Sequence, residues 1–291
     1  MNQKVKEIGK KVVGLIPTKL WLSLLFRHDA GYKMDWKNPK TFNQKLQWLK
    51  VYDRNPLYTT LVDKYEVKKY IADKLGEEYV IPTIGVWDSF DEIDFNSLPD
   101  QFVLKCTHDS GGLAVVRDKA TFDKEAARKK FNIALNRNNY CVNREWPYKN
   151  VKSRIIAEQY MENDATHDLR DYKFFSFDGE TKAMFIATER ASETEETKFD
   201  FFDMEYNHLD FRNGHPNANV LPEKPACFDE MHALADKLSE GIPQVRVDFY
   251  EVNGKVYFGE MTFFHWSGMK PFEPEEWDYA FGSWIKLPEK K

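Results

Sequence analysis

Arg246, Asp248 and Glu260 interrupt two runs, Val245–Tyr250 and Tyr257–Phe263, that otherwise read as central apolar strands. A charge in such a strand is costly unless it is paired or used. Two carboxylates and an arginine on paired strands would suit a divalent cation bridging phosphates. Hard oxygen donors fit Mg2+, which keeps waters and shares its shell with phosphates. The competing reading is a buried ion pair between Arg246 and one carboxylate. Lys105 poses a similar question inside the apolar run FVLKC. It either lies on the solvent face of an edge strand or holds an anion. Ser110, Gly111 and Gly112 follow directly and favour the anion, because a glycine tip lets backbone N–H groups approach phosphate oxygens. Without an anion, Lys105 is expected to have no good partner.

Two further segments carry weaker signals. Glu158, Gln159, Tyr160 and Met161 end a strand. Backbone edges with a Tyr and a Met would suit an adenine ring, although strand ends of this kind are usually core. Asp168–Lys173 packs four charges into six positions. That is either a solvated loop or a site in which Asp171 accepts from ribose hydroxyls and Lys173 meets phosphate.

Register decides whether Asp248 and Glu260 can act together. Side chains alternate with period two, so directly opposed residues share a face. A plain two-residue turn at Asn253-Gly254 with an unbroken ladder would put Glu260 opposite Val247 and send the carboxylates to opposite faces. A shared metal requires a three-residue loop, Val252–Gly254, or a bulge of the same parity.

The elements that must carry these groups alternate between helical and β texture. Thr41–Tyr52 reads as a helix capped by Thr41, with Phe42, Leu46 and Leu49 at helical spacing. Leu57–Leu75 reads as one helix containing Lys64. Tyr79–Val86, Gln101–Cys106 and Leu113–Arg117 read as strands, the last two joined by a glycine-rich tip that should open without a ligand. Thr121–Asn136 reads as a helix capped by Thr121. Arg154–Met161 is a strand, Tyr172–Phe177 with Lys182–Thr188 a hairpin, Phe228–Leu238 a helix, and Val245–Glu251 with Lys255–Phe263 the last hairpin. Helices interleaved with antiparallel hairpins define an α+β chain, not a doubly wound parallel sheet. Pattern changes divide it into a helical segment 1–75, a lobe 76–150 with the glycine-rich tip, and a lobe 151–291 with the carboxylates.

Composition removes several classes. The chain has 291 residues, 42 basic against 47 acidic, a net charge of −5, and no basic footprint for nucleic acid. Three widely spaced cysteines make no disulfide framework and point to a reducing, cytoplasmic setting. Cys106 and His108 are too few ligands for zinc. No P-loop, GxGxxG, GxSxG or HExxH occurs, and no Asp-x-Asp pair. Lys4, Lys6, Lys10 and Lys11 precede Val12–Ile16, but Pro17 and Lys19 break the apolar run and no small-residue cleavage site follows. A helix broken near Pro17 and docked on the body is expected, with weak contact at the inner membrane face as the other reading.

Taken in order, these pieces resemble the ATP-grasp enzymes, and more narrowly the TupA-like family of teichuronopeptide biosynthesis. The resembling stretches are NPKTFNQKLQWLKVYDRNPLYTTLVDKYEVKKYI, FVLKCTHDSGG, DLRDYKFFSFDGE and VRVDFYEVNGKVYFGEMTF, from about Asn38 to Leu287. The resemblance implies an ATP- and Mg2+-dependent ligase. It would activate a carboxylate as an acyl phosphate and join it to an amine, on a sugar or polysaccharide precursor of the capsule or cell surface. It assigns phosphate contacts to Lys64 and Lys105, closure to Ser110–Gly112, adenine to Glu158–Met161, ribose to Asp171 and charge stabilisation to Arg246. Asp248 and Glu260 would ligate Mg2+, with Thr262 where many such enzymes carry Asn. The alternatives are a glycosyltransferase of a polysaccharide cluster, which the missing Asp-x-Asp and the motif order disfavour, and a non-catalytic nucleotide-binding protein.

Overall fold

A computed structural model describes residues 14–137, 140–164, 169–189 and 196–290. Lys4, Lys6, Lys10, Lys11 and Asp168 lie outside the described residues. The chain forms two compact units: residues 1–55, 140–146 and 170–291 make one, and residues 56–139 and 147–169 the other. The helical segment 1–75 expected from texture is therefore shared between units, because its first part packs with the C-terminal strands and its second with the glycine-rich hairpin.

The smaller unit holds a four-stranded antiparallel sheet in the order β1-β4-β2-β3, with β1 Thr83–Trp87, β2 Phe102–Cys106, β3 Leu113–Val116 and β4 Ile155–Gln159. Phe102, Leu104 and Ile155 from the sheet and Phe131 from the helix Lys124–Leu135 build its core. That helix is capped by Asp123, whose side chain accepts from Ala126 N at 2.9 Å, and not by Thr121, which lies in the preceding short 3-10 turn. The segment 57–75 is two helices, Leu57–Val62 and Glu66–Lys74, not one. Asp63 breaks it: its Oδ1 accepts from Tyr65 N at 2.9 Å, an Asx turn competing with helical continuation.

The larger unit holds a six-stranded sheet in the order β10-β9-β5-β6-β7-β8, antiparallel throughout. Its strands are β5 Asp171–Phe177, β6 Glu180–Thr188, β7 Lys198–Phe202, β8 His208–Leu209, β9 Val245–Val252 and β10 Lys255–Thr262. Neighbours on β5 show why the central strands are apolar on both faces. Phe174 meets Phe228 of the helix Phe228–Ser239. Phe175, one step on and so on the opposite face, meets Phe42 and Phe281. Those two belong to the helices Phe42–Tyr52 and Glu276–Trp284. The expected Thr41 cap is present as a reciprocal capping box with Gln44. Gly282 lets the two helices touch, since a Cβ there would stand 2.7 Å from Phe42 N.

Thr18–Asp29 starts directly after Pro17 and buries Leu22 and Phe26 against Met34 and Met269. This is the docked helix expected from the sequence. No helix among the described residues is long and apolar enough to cross a membrane.

Candidate functional site

The carboxylates come together through a bulge and not through the turn. Asn253 and Gly254 form a two-residue turn with φ of 52° and 74°, pairing Val252 with Lys255. The expected three-residue loop is absent because Asn-Gly supplies both left-handed positions a tight turn needs. Parity is corrected five residues later. Phe258 pairs with Phe249, the register shifts at Gly259, and Glu260 pairs with Asp248 and Thr262 with Arg246. Gly259 suits the bulge because a Cβ there would lie 3.0 Å from Asp248 O.

The next ladder extends the same face, since Lys173 pairs with Asp248 and Phe175 with Arg246. Lys173, Arg246, Asp248, Glu260 and Thr262 therefore share one face of three adjacent strands. The Arg246 guanidinium is bidentate on Asp248, with Nε to Oδ1 and Nη2 to Oδ2 both at 2.7 Å. Nη2 also reaches Thr262 Oγ1 at 3.0 Å and Glu260 Oε1 at 3.3 Å. Lys173 Nζ donates to Asp248 Oδ2 and lies 3.5 Å from Asp171 Oδ1. The ion-pair reading of Arg246 thus describes this geometry, and Lys173 meets two carboxylates rather than standing alone. Asp171 is buried at the start of β5.

Sequence reasoning missed two members of this face. His265 Nδ1 lies 2.8 Å from Arg246 Nη1, and its Nε2 lies 3.0 Å from Asn213 Oδ1. Burial, then the charges of Arg246 and Lys173, hold the imidazole neutral, its pKa well below the usual histidine value. A lone His among aromatics in FFHW is the only sequence hint, and Asn213 has none.

Hard oxygens on facing strands fit Mg2+. Among the described residues no group of three His, Cys, Asp or Glu could hold a metal alone. Asp248 already serves two cations, leaving Glu260 at the solvent edge with its side chain 42% exposed. This donor set suits an ion that completes its shell with water and phosphate, not a self-sufficient protein cage.

The smaller unit gathers its own cationic cluster. Lys105 sits on β2, an inner strand between β4 and β3, so the edge-strand reading fails. It does have a partner: Glu158 Oε2 lies 2.5 Å from Lys105 Nζ, and Glu158 Oε1 lies 2.6 Å from Lys68 Nζ. Burial would raise the Glu158 carboxyl, but the two lysines outweigh it and hold it below the usual glutamate value. Lys68 was not anticipated, although four residues after Lys64 is a spacing that could have flagged it. Lys64 is brought to the glycine-rich tip, its N donating to Thr107 O at 3.0 Å and its Nζ to Asp109 O at 3.1 Å.

The tip is less free than its composition suggests. Thr107, His108 and Asp109 are buried. Thr107 Oγ1 donates to Lys152 O at 2.9 Å, and Asp109 Oδ1 accepts from Gly111 N. Gly112 is required by packing, because a Cβ there would stand 2.7 Å from Cys106 Cβ. Ser110 is the exposed residue of the tip. At the expected adenine edge, β4 ends at Gln159, whose N donates to Pro82 O at 3.0 Å. The Glu158 side chain turns to the lysines, and Tyr160 OH bridges Arg117 and Glu162. Met161 lies just past the strand, half-buried.

Two antiparallel sheets, one with lysines around a glycine-rich hairpin and one with an arginine and carboxylates on adjacent strands, define an ATP-grasp protein. The TupA-like ATP-grasp family model matches residues 44–286, and the chain belongs to that family. No curated protein matches it significantly. Solved structures that resemble it include D-alanine–D-alanine ligase from Bacillus anthracis complexed with ATP, at 17% identity and a TM-score of 0.41, with 70% of this chain and 55% of that one covered. D-alanine–D-alanine ligase from Helicobacter pylori matches at 14% identity, TM-score 0.42, over 86% of this chain and 70% of the other. N5-carboxyaminoimidazole ribonucleotide synthetase from Thermus thermophilus matches at 14% identity, TM-score 0.41, over 77% and 54%. The chain thus spans little more than half of the Bacillus and Thermus enzymes.

Proposed function

We propose that the protein is an ATP- and Mg2+-dependent ligase that joins a carboxylate to an amine. The observation that carries this is the bulge at Gly259, which sets Glu260 against Asp248 beside Arg246 on one sheet face. A bulge that only trimmed the hairpin would have no reason to gather these charges. The carboxylate oxygen would attack the γ-phosphorus of ATP, releasing ADP and forming an acyl phosphate. The amine nitrogen would then attack the acyl carbon, phosphate would leave, and the amine proton would go to solvent. Arg246 would stabilise charge on the transferring phosphoryl group. Asp248 and Glu260, with Thr262, would hold Mg2+, which when bound neutralises phosphate charge.

In the smaller unit, Lys64, Lys105 and Ser110–Gly112 would meet the phosphates, and Glu158–Met161 the adenine. Lys68 joins this set as the second partner of Glu158. Asp171 and Lys173 are assigned to the ribose and a phosphate. The lobes 76–150 and 151–291 read from texture would then carry the glycine-rich phosphate loop and the metal site respectively. A uronic acid or another acidic sugar of a capsular or cell-surface polysaccharide is the proposed carboxylate, and an amino acid or amino sugar the amine. The proposed setting is cytoplasmic, with weak contact at the inner membrane face.

The test is turnover. Purified protein with ATP, Mg2+ and a panel of uronic acids and amines should release ADP and phosphate and yield a product heavier than the acid by the amine less water. Asp248→Asn should lower the rate by about a hundredfold or more. Release of UDP from UDP-sugars, without ADP release, would show a glycosyltransferase instead; no turnover of either kind would favour a binding protein.

A further inference from the structure

Arg246 is held from two sides by groups of different kinds. Asp248 takes Nε and Nη2 as a charged partner. The remaining Nη1 meets an uncharged acceptor, His265 Nδ1, at 2.8 Å. A guanidinium has only donors, so Nδ1 must accept, and the proton sits on Nε2, which donates to Asn213 Oδ1 at 3.0 Å. Asn213 is itself fixed, because its Nδ2 donates to Lys270 O and Pro271 O, both at 3.1 Å. The imidazole is also wedged edge-on against Phe175, with centroids 5.1 Å apart. The chain from two backbone carbonyls to the guanidinium thus has one hydrogen-bond direction throughout.

A third carboxylate at this place would have held Nη1 while drawing off the charge that a phosphoryl group needs. A neutral imidazole fixes the plane of the cation and leaves its charge available. The backbone that presents His265 is unusual. Trp266, Ser267 and Gly268 run in the left-handed region, with φ of 47°, 58° and 60°. Two of the three are not glycine, so the backbone there is strained. The fully buried Lys50 holds the turn, donating from Nζ to Ser267 O at 2.8 Å and Ser267 Oγ at 2.9 Å. Gln47 Nε2 donates to Ser267 O at 2.9 Å and Gly268 O at 2.7 Å. Ser267 Oγ donates to the half-buried Glu145 at 2.5 Å. One face of the helix Phe42–Tyr52 is therefore occupied in imposing a strained turn directly after His265.

We infer that His265 is a positioning residue: seated by the clamped turn and oriented by Asn213, it fixes the Arg246 guanidinium for the transferring phosphoryl group. The inference rests on the role proposed above for Arg246. It is tested with ADP plus fluoroaluminate, which mimics that group, against ADP alone, both by calorimetry in Mg2+. His265→Leu keeps an apolar filling but cannot accept; His265→Gln can accept through its side-chain oxygen. Arg246→Ala and His265→Leu should each weaken ADP–fluoroaluminate by about tenfold or more, and ADP alone by less than about twofold. His265→Gln should stay within about threefold of wild type, and His265→Leu should add nothing to Arg246→Ala. A loss with Arg246→Ala but none with His265→Leu overturns the positioning role. So does an equal loss of ADP alone, which marks a merely structural residue. No loss with Arg246→Ala instead overturns the reading of Arg246, and the inference with it.

Discussion

Lys105 illustrates how far a single residue can be read. Its place in an apolar strand marked it as needing an anion, and the anion it meets is a side chain, Glu158. The sequence could not show this, because Glu158 lies more than fifty positions away and pairs only through the β2–β4 ladder. The expectation that Lys105 has no good partner without an anion therefore fails, and Lys105 gains a part in stability. Removing Lys105 leaves a buried carboxylate with one lysine, Lys68, instead of two. Lys105→Ala should lower the unfolding free energy by about 1–3 kcal/mol in urea titration, and Lys105→Ala with Glu158→Gln should recover part of that loss. Nucleotide affinity should fall in both variants. A single variant as stable as wild type would show that Lys68 alone satisfies Glu158.

At the scale of elements, the helices and hairpins were legible because period and turn chemistry are local. Thr41 with Gln44, Asp178-Gly179 and Asn253-Gly254 carry their structures in adjacent residues. The misses share a cause. Thr121 lost the cap to Asp123 two residues on, and Asp63 split a helix by bonding its own downstream amides. Both are contests between neighbours that periodicity cannot rank. The bulge was legible in parity, as something required, but not in place. Its location at Gly259 follows from the closeness of the Asp248 carbonyl, a tertiary contact. That contact makes the bulge testable. Gly259→Val should destabilise the protein by about 1–3 kcal/mol through overpacking against the β9 backbone. Because the strain is relieved only by moving the register, it should also abolish Mg2+-dependent turnover. A Gly259→Val variant with full activity would show that the carboxylates do not need the shift.

At the scale of the whole molecule, residues distant in sequence are committed to one unit by a fully buried charge, Lys50, and its half-buried polar partners. Lys50, Glu145 and Ser267 come from three separate stretches, and all lie in the larger unit. Burial, opposed by the charge of Glu145, brings the Lys50 ammonium from 10.5 down to about 8. Burial also raises Glu145, against the pull of Lys50. The sign of the Lys50 linkage follows directly. Between about pH 8 and 10.5 the unfolded chain keeps the lysine proton that the folded chain has lost, so stability rises with pH across that window. Above 10.5 the contribution is complete, and below about 8 it is gone. A gap of this size corresponds to about 3 kcal/mol at most. Other lysines and tyrosines titrate in the same range, so the informative quantity is a difference. Lys50→Met keeps the apolar stem and removes the titration. The stability of this variant minus that of wild type, measured by denaturant midpoints, should fall steadily from pH 8 to 10.5. A difference that stays flat would mean that Lys50 keeps its ordinary proton affinity, and that solvent reaches the clamp behind the Trp266–Gly268 turn.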